Sequence, residues 1–257
     1  MMDTGLNDSI VLVTGGAGGI GQAICKEFAT EGAKVIIHYN NSEESANSLA
    51  DEIGGFATKA NLTNEKETIS MFEDIISRYG KIDICIANAG YYPLEASPLW
   101  EIGLDRWNST IQNNLNVTVN TAQQFLLNAK NVGIGSLILI GSTAGIYGEA
   151  GHSDYAAAKG AITTGLLMSL KNEVATIGNI RVNAVAPGWT ITPKKVEHGI
   201  DENTINLATA TMALKKLATP QDVARVCVSL SSDTISGHVT GQVIEVAGGM
   251  EGRLIYS

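Results

Sequence analysis

Tyr155 and Lys159 stand four residues apart, separated by Ala156, Ala157 and Ala158. On a helix this spacing puts both side chains on one face, one turn apart. The alanines favour helix and leave the approach uncrowded. A fixed ammonium beside a phenol favours the phenolate, so it should draw the tyrosine pKa down from about 10. A tyrosine tuned in this way can exchange a proton with a substrate near neutral pH. Ser153 or Asp154 stands where a cap for this helix is needed. Ser142 follows the apolar run Leu137-Ile138-Leu139-Ile140, which places it at or just beyond the end of a strand. Binding crevices of open α/β sheets form at that edge.

The elements that must position these residues follow from periodicity. Short apolar runs predict strands over 9–14, 34–38, 55–60, 82–87, 136–141, 179–185 and 242–246. Amphipathic runs predict helices over 19–31, 43–53, 65–79, 104–129, 154–177 and 220–231. In the fourth, Trp107, Ile111, Leu115 and Val119 form an apolar stripe, and Asn113 and Asn114 interrupt the pattern. Alternating strands and helices imply a parallel, doubly wound sheet covered on both faces. No linker, repeat or low-complexity tract divides the chain, so one domain is expected over residues 1–257.

The first strand runs into Thr14-Gly15-Gly16-Ala17-Gly18-Gly19-Ile20-Gly21. Glycines let a backbone approach a pyrophosphate, and the following helix start offers N–H groups and a positive dipole end. In this context the turn reads as a dinucleotide site. The second strand ends in His38-Tyr39-Asn40-Asn41-Ser42, with no carboxylate at 38–41 to bind a ribose 2′-hydroxyl or repel a 2′-phosphate. No Arg or Lys lies nearby, and Ala17 offers no base. The expected cofactor is therefore NADP over NAD, with a modest preference. The fourth strand ends in Asn88-Ala89-Gly90, where small residues allow close backbone approach. Tyr91, Tyr92 and Pro93 follow, either lining a substrate mouth or packing as loop aromatics. Pro187-Gly188 after the sixth strand reads as a sharp turn.

Ser142, Tyr155 and Lys159, with Thr14, Gly15, Gly19 and Gly21, Asn88-Ala89-Gly90 and Pro187-Gly188, resemble the short-chain dehydrogenase/reductase family. The resemblance spans residues 9 to about 249 and implies a single-domain, Rossmann-type, doubly wound sheet of seven parallel strands. It implies an NAD(P)-dependent oxidoreductase acting on a carbonyl/secondary alcohol pair, with members that reduce 3-oxoacyl-acyl-carrier-protein among the most similar. Sugar or small-alcohol dehydrogenation is the alternative within the family. An idle nucleotide-binding regulatory protein is the alternative outside it.

By the same resemblance Ser142 binds the substrate oxygen, Tyr155 passes the proton, and Lys159 stabilises the phenolate and binds the nicotinamide ribose. Asn114 joins them by holding a water on the lysine. Asn61 and Leu62 would sit at the adenine, and Ile191 and Thr192 at the nicotinamide carboxamide. Asn61 replaces the usual Asp, and Ala247 stands where members commonly have Asp. Residues 190–215 are expected to form a substrate lid, and the chain is expected to be a homotetramer. A docking site for an acidic carrier protein should be basic. Lys130 fits that expectation, whereas Asn172 stands where the carrier-protein reductases have arginine.

Composition bounds the remaining possibilities. At 257 residues, 44% hydrophobic and 17% charged, the chain can build a large core. A net charge of −9 argues against nucleic-acid and acidic-membrane partners. The first apolar run, Ile10 to Val13, is too short for a signal or a span, so a cytoplasmic protein is expected. Cys25, Cys85 and Cys227 are widely spaced within apolar patterns and read as buried free thiols. No His/Cys cluster has metal-ligand spacing, so no catalytic metal is expected. His152 reads as a surface or substrate-facing residue rather than a second base.

Overall fold

The computed structural model describes residues 3–192 and 201–250. Seven strands form one sheet: β1 (Ile10–Val13), β2 (Lys34–Tyr39), β3 (Phe56–Lys59), β4 (Ile84–Ala87), β5 (Ile134–Ile140), β6 (Asn179–Pro187) and β7 (Val243–Val246). All pairings are parallel, in the order β3-β2-β1-β4-β5-β6-β7. The order reverses between β1 and β4, which opens the crevice above their C-terminal ends.

Both faces are covered, so central strands need apolar residues at every position. β1 meets this demand with Ile10-Val11-Leu12-Val13, all buried. Ile10 and Leu12 join one core layer, with Phe72 and Ile75 of α3 (Glu65–Tyr79), Phe125 of α5 (Val117–Val132) and Leu167 of α8 (Leu167–Glu173). Val11 and Val13 join the other, with Ile24 and Phe28 of α1 (Gly19–Thr30), Leu49 of α2 (Glu43–Ile53) and Val223 and Cys227 of the helix Pro220–Ser231. All three cysteines are buried and free, and burial pushes their thiols far above the ordinary range.

Helix starts follow local chemistry. The Asn64 side chain accepts from the N–H groups of Lys66 and Glu67 at the start of α3. Thr219 and Asp222 form a reciprocal capping box before Pro220. At the other end of that helix, the buried Arg181 donates to the carbonyls of Leu230 (2.6 Å) and Ser231 (2.9 Å), and Asp233 pairs with its Nε at 3.3 Å. A cation there satisfies carbonyls that the helix itself leaves open.

The two long predicted helices depart from uniform α geometry. α4 (Leu104–Ile111) passes through a π turn, Gln112–Asn116, into α5. α7 (Ser153–Gly160) passes through a second, Ala161–Leu166, into α8, which ends in a 3₁₀ turn. Hydroxyls bond back onto carbonyls at both places: Thr118 onto Asn114 (2.8 Å), and Thr163 onto Lys159 (3.1 Å). Such bonds compete with the regular ladder. The π turns also rotate the helix face. Thr110, Asn114, Thr118, Thr121 and Phe125 point inward, while Trp107, Ile111 and Leu115 are only partly buried and Val119 is exposed. The expected apolar stripe is therefore not the buried face.

Short helices at Ala144–Tyr147 (α6) and Asp233–Ser236 fall outside the predicted set. Part of the expected lid, residues 193–200, lies outside the described residues. Within the rest, a helix covers Glu202–Thr209, Thr190 bridges Ala218, and Leu214 N–H donates to the Gly248 carbonyl at 2.8 Å.

Phe125 is fully buried between α5 and the sheet. Phe125→Ala is expected to cost about 3–5 kcal/mol of stability, read as a lowered urea midpoint at unchanged slope. A loss under about 1 kcal/mol would show that this layer collapses around the gap.

Candidate active site

Ser142 lies two residues past the end of β5, above the sheet. Its Oγ accepts from Ala144 N–H at 3.2 Å, which fixes the side chain at the start of α6. α6 then crosses α7 at very short range. A Cβ on Gly145 would lie 2.5 Å from Gly160 N and from Lys159 C, so only glycine permits this crossing. The crossing brings the Tyr155 and Lys159 helix against Ser142. This places the Tyr155 hydroxyl beside the Ser142 side chain, near enough for Ser142 to favour the phenolate.

Lys159 is buried, and its ammonium donates to the Ile140 carbonyl at 3.0 Å. Its Nζ lies 5.8 Å from the Tyr155 ring centroid. Burial pushes the Lys159 pKa down to about 8 and the Tyr155 pKa up to about 12. The i, i+4 spacing of Tyr155 and Lys159 predicts a lowered tyrosine instead. In the folded protein desolvation outweighs the favourable influence of Ser142, and the Glu149 charge adds to the rise.

Asn114 is buried in the first π turn. Its Oδ1 accepts from Tyr91 N–H (3.1 Å), and its Nδ2 donates to the carbonyls of Tyr91 (2.8 Å) and Thr110 (3.0 Å). A Cβ on Gly90 would lie 2.9 Å from Asn114 Oδ1 and 3.3 Å from Lys159 Nζ. Asn114, Gly90 and Lys159 thus surround one small space at the end of β4.

Two expectations about the start of α7 are corrected. Neither Ser153 nor Asp154 caps it: His152 occupies the cap position, and no side chain bonds there. Asp154 is fully buried and accepts instead from Arg106 Nε (3.1 Å) and Thr110 Oγ1 (2.8 Å), which hold its carboxyl below the usual range against desolvation. This ties α7 to α4. His152 is buried rather than on the surface, stacked on Tyr92 with its Nε2 3.1 Å from the Pro93 carbonyl.

The glycine turn is held from below. The buried Thr14 hydroxyl accepts from Asn88 N–H (3.0 Å) and Ala89 N–H (3.1 Å), and Asn88 Nδ2 donates to the Thr14 carbonyl at 2.9 Å. His38, which sequence reasoning passed over, accepts from Gly15 N–H at Nδ1 (3.0 Å). Its Nε2 lies 3.0 Å from the Ala60 carbonyl, so the ring is neutral with its proton on Nε2. Burial pushes its pKa down to about 4. The signal was present: a histidine ending an apolar strand needs a partner for each nitrogen.

This turn fits a dinucleotide. A Cβ on Gly21 would lie 2.2 Å from the Gly15 carbonyl, so the turn folds tightly onto the start of α1. No side chain caps α1 at Gly18, and no acidic residue stands in its first turn. The N–H groups and the positive dipole end there suit a pyrophosphate. Thr14, Gly15, Ala17, Gly18, Gly19, Ile20 and Gly21 are therefore placed to hold one. Tyr39 ends β2 with Asn40, Asn41 and Ser42 after it; burial and the nearby Glu43 carboxylate at the start of α2 both raise its pKa. A carboxylate does reach this region, from the next helix. Asn61 Oδ1 is engaged by Thr63 N–H (3.1 Å) and Oγ1 (2.8 Å), so this residue builds its own turn, and Leu62 is buried beside it.

Across the crevice, Thr143 N–H donates to the Pro187 carbonyl at 3.0 Å, and Ile191 N–H donates to Ala218 at 2.8 Å with Thr192 next in line. A Cβ on Gly188 would lie 3.1 Å from Ala247 Cβ, so the small residue at 247 serves packing. A separate hollow of about 390 Å³, lined by Tyr91, Pro93, Arg106 and Thr110, includes none of Ser142, Tyr155 and Lys159. Among the described residues no group of His, Cys, Asp and Glu could hold a metal, and no helix is long and apolar enough to cross a membrane.

The parallel sheet, its crevice and the glycine turn define a nucleotide-dependent α/β enzyme. Comparison with known proteins gives the family. The family model described as enoyl-(acyl carrier protein) reductase matches residues 15–251. The chain is 34% identical to the 3-oxoacyl-acyl-carrier-protein reductase FabG of Thermotoga maritima over 95% of its length and 98% of the relative's. It is 33% identical to FabG of Chlamydia muridarum, covering 97% and 100% of the two chains, and 35% identical to FabG of Salmonella typhimurium, covering 94% and 96%. The chain belongs to the short-chain dehydrogenase/reductase family and is an NAD(P)-dependent oxidoreductase acting on CH–OH groups.

A buried ammonium with one carbonyl partner costs folding energy. The folded-state pKa of about 8 lies below the ordinary lysine value of 10.5, so the unfolded chain binds more protons between these values. The fold therefore gains stability as pH rises through that window. Lys159→Met is expected to raise the melting temperature at pH 7 by several degrees, with the gain shrinking from pH 8 to 10. Thermal scans showing an equal or lower melting temperature at pH 7 would contradict this.

Proposed function

We propose that this protein reduces the 3-oxo group of an acyl thioester to the 3-hydroxy form, with NADPH preferred over NADH. The reading rests on one observation: full-length likeness to carrier-protein reductases coincides with the meeting of Ser142, Tyr155 and Lys159 at one edge of the sheet.

Ser142 donates a hydrogen bond to the ketone oxygen and orients it. Tyr155 gives its proton to that oxygen as charge develops there. Lys159 holds the resulting phenolate and binds the ribose. Asn114 keeps a relay water beside Lys159, and solvent restores the tyrosine proton by that route. A bound nicotinamide supplies the hydride, which is chemistry the side chains cannot perform. Bound phosphates and a lid over 190–215 would exclude water and strengthen each of these electrostatic contacts. Asn61 and Leu62 lie where the adenine would rest, while Asn88, Ala89, Gly90, Pro187, Gly188, Ile191 and Thr192 border the nicotinamide end.

The hydroxyl and amide groups of Tyr39, Asn40, Asn41 and Ser42 suit a 2′-phosphate without a formal cation. The Glu43 carboxylate near Tyr39 keeps that preference modest. Exposed Leu104 (77%), Leu127 (54%), Val119 and Met168 on the α4–α5 and α7–α8 helices support assembly of a homotetramer. The exposed Lys130 is a point of contact for an acidic carrier protein, although Asn172 weakens it relative to an arginine.

Tyr155→Phe is expected to lower turnover of an acetoacetyl thioester at least about a hundredfold and to leave nucleotide affinity intact. Retention of a tenth of the rate would remove Tyr155 from proton transfer. Fluorescence titration should show NADPH binding more tightly than NADH by less than about a hundredfold, since neutral partners bind phosphate more weakly than charged ones. Tyr39→Asp should invert the order, and tighter NADH binding by the wild type would defeat the assignment.

A further inference from the structure

Beside Tyr155 lies a polar cluster that the reaction steps above do not use. Tyr92 links it to the reacting hydroxyl. Its ring meets the Tyr155 ring edge-on, with centroids 5.1 Å apart at 84°, and its hydroxyl donates to Glu149 Oε1 at 2.6 Å. The other side of Tyr92 stacks on His152, with centroids 4.6 Å apart at 21°. His152 is anchored at the Pro93 carbonyl, with Nδ1 3.4 Å from the Tyr92 hydroxyl and 3.7 Å from Glu149 Oε1. The Tyr92 hydroxyl has one proton to give, and the carboxylate is the nearer and stronger acceptor.

Glu149 is therefore held in place, yet its side chain keeps 30% exposure. It stands on the loop between Ser142 and Tyr155, the two residues that meet the substrate oxygen. A carboxylate with spare acceptor positions attracts hydrogen-bond donors and repels anions. Its charge is felt at the reaction centre, where it contributes to the raised Tyr155 hydroxyl.

We propose that Glu149, held by Tyr92, is a specificity-determining residue that admits neutral 3-oxoacyl derivatives and rejects free 3-oxo acids. The proposal rests on the ketone-reduction reading and deepens it. A free acid would bring a second carboxylate to within a few ångströms of Glu149. At about 6 Å, two like charges at a protein surface repel enough to shift affinity by roughly tenfold or more. A thioester, ester or amide at the same carbon carries no charge and escapes the penalty.

The test uses acetoacetate and acetoacetamide, which match in size and differ in charge. Calorimetric titration of each into the protein–NADP⁺ complex reads binding without turnover, and NADPH oxidation reads reduction separately. The wild type should favour acetoacetamide by about tenfold or more in both. Glu149→Gln should bring the ratio to within about twofold, with an unchanged circular-dichroism melt. A ratio that stays the same in the variant overturns the proposal, as does a wild type that binds neither ketone or binds both alike. Should Glu149→Gln misfold, Tyr92→Phe decides: it keeps the ring and releases the carboxylate, and must change the ratio by more than about threefold. Loss of discrimination on binding, in a wild type that reduces neither ketone, would support the subsite and refute ketone reduction. Turnover with no change in discrimination would do the reverse.

Discussion

A lysine ammonium buried against a single carbonyl is the costly feature of this molecule, and much of the surrounding structure serves to hold it. Desolvation alone would neutralise Lys159 or move it to the surface. Lys159 stays inside, where β5 ends with the Ile140 carbonyl as its acceptor, and burial pulls its pKa down to about 8. The glycine crossing of α6 and α7 then closes the backbone over it. Sites that must stabilise charge in a transition state often carry such strain, since the ligand rather than the fold supplies the compensating partners.

That requirement explains why the supports around the site are polar and long-range. Asp154 reaches back to Arg106 and Thr110 of α4, and this sets the start of the Tyr155 helix. Asn114 holds the Tyr91 backbone from inside a π turn, so the chain after β4 passes beside Lys159. Thr14, Asn88 and His38 lock the glycine turn to β4 and β2. Asp154, Asn114, Thr14, Asn88 and His38 each find a partner within the network, which rigidifies the crevice. The cluster beside Tyr155 is different: Tyr92, Glu149 and His152 contact one another, and the group stays partly open to solvent.

Much of this was legible in the residues themselves. A short, largely β-branched apolar run such as Ile10 to Val13, ended by a glycine turn, reads as a strand covered on both sides. The strand, glycine turn and helix after it read as a phosphate site without reference to the rest of the chain. The helical stripe from Trp107 to Val119 misled, because periodicity assumes 3.6 residues per turn and a π turn breaks that register. His152 misled for a related reason, since its burial depends on Tyr92 and Pro93, about sixty residues earlier.

The sequence by itself determined the alternation of strands and helices, the one-face pairing of Tyr155 with Lys159, and the place of Ser142 beyond a strand. These depend on short-range periodicity, which neighbouring residues encode. Only the tertiary structure decided the charge states. Spacing argued for a lowered tyrosine, whereas the fold buries both groups, pushing Tyr155 up to about 12 and Lys159 down to about 8. Desolvation depends on every element packed around a group, and no local pattern in the chain records it.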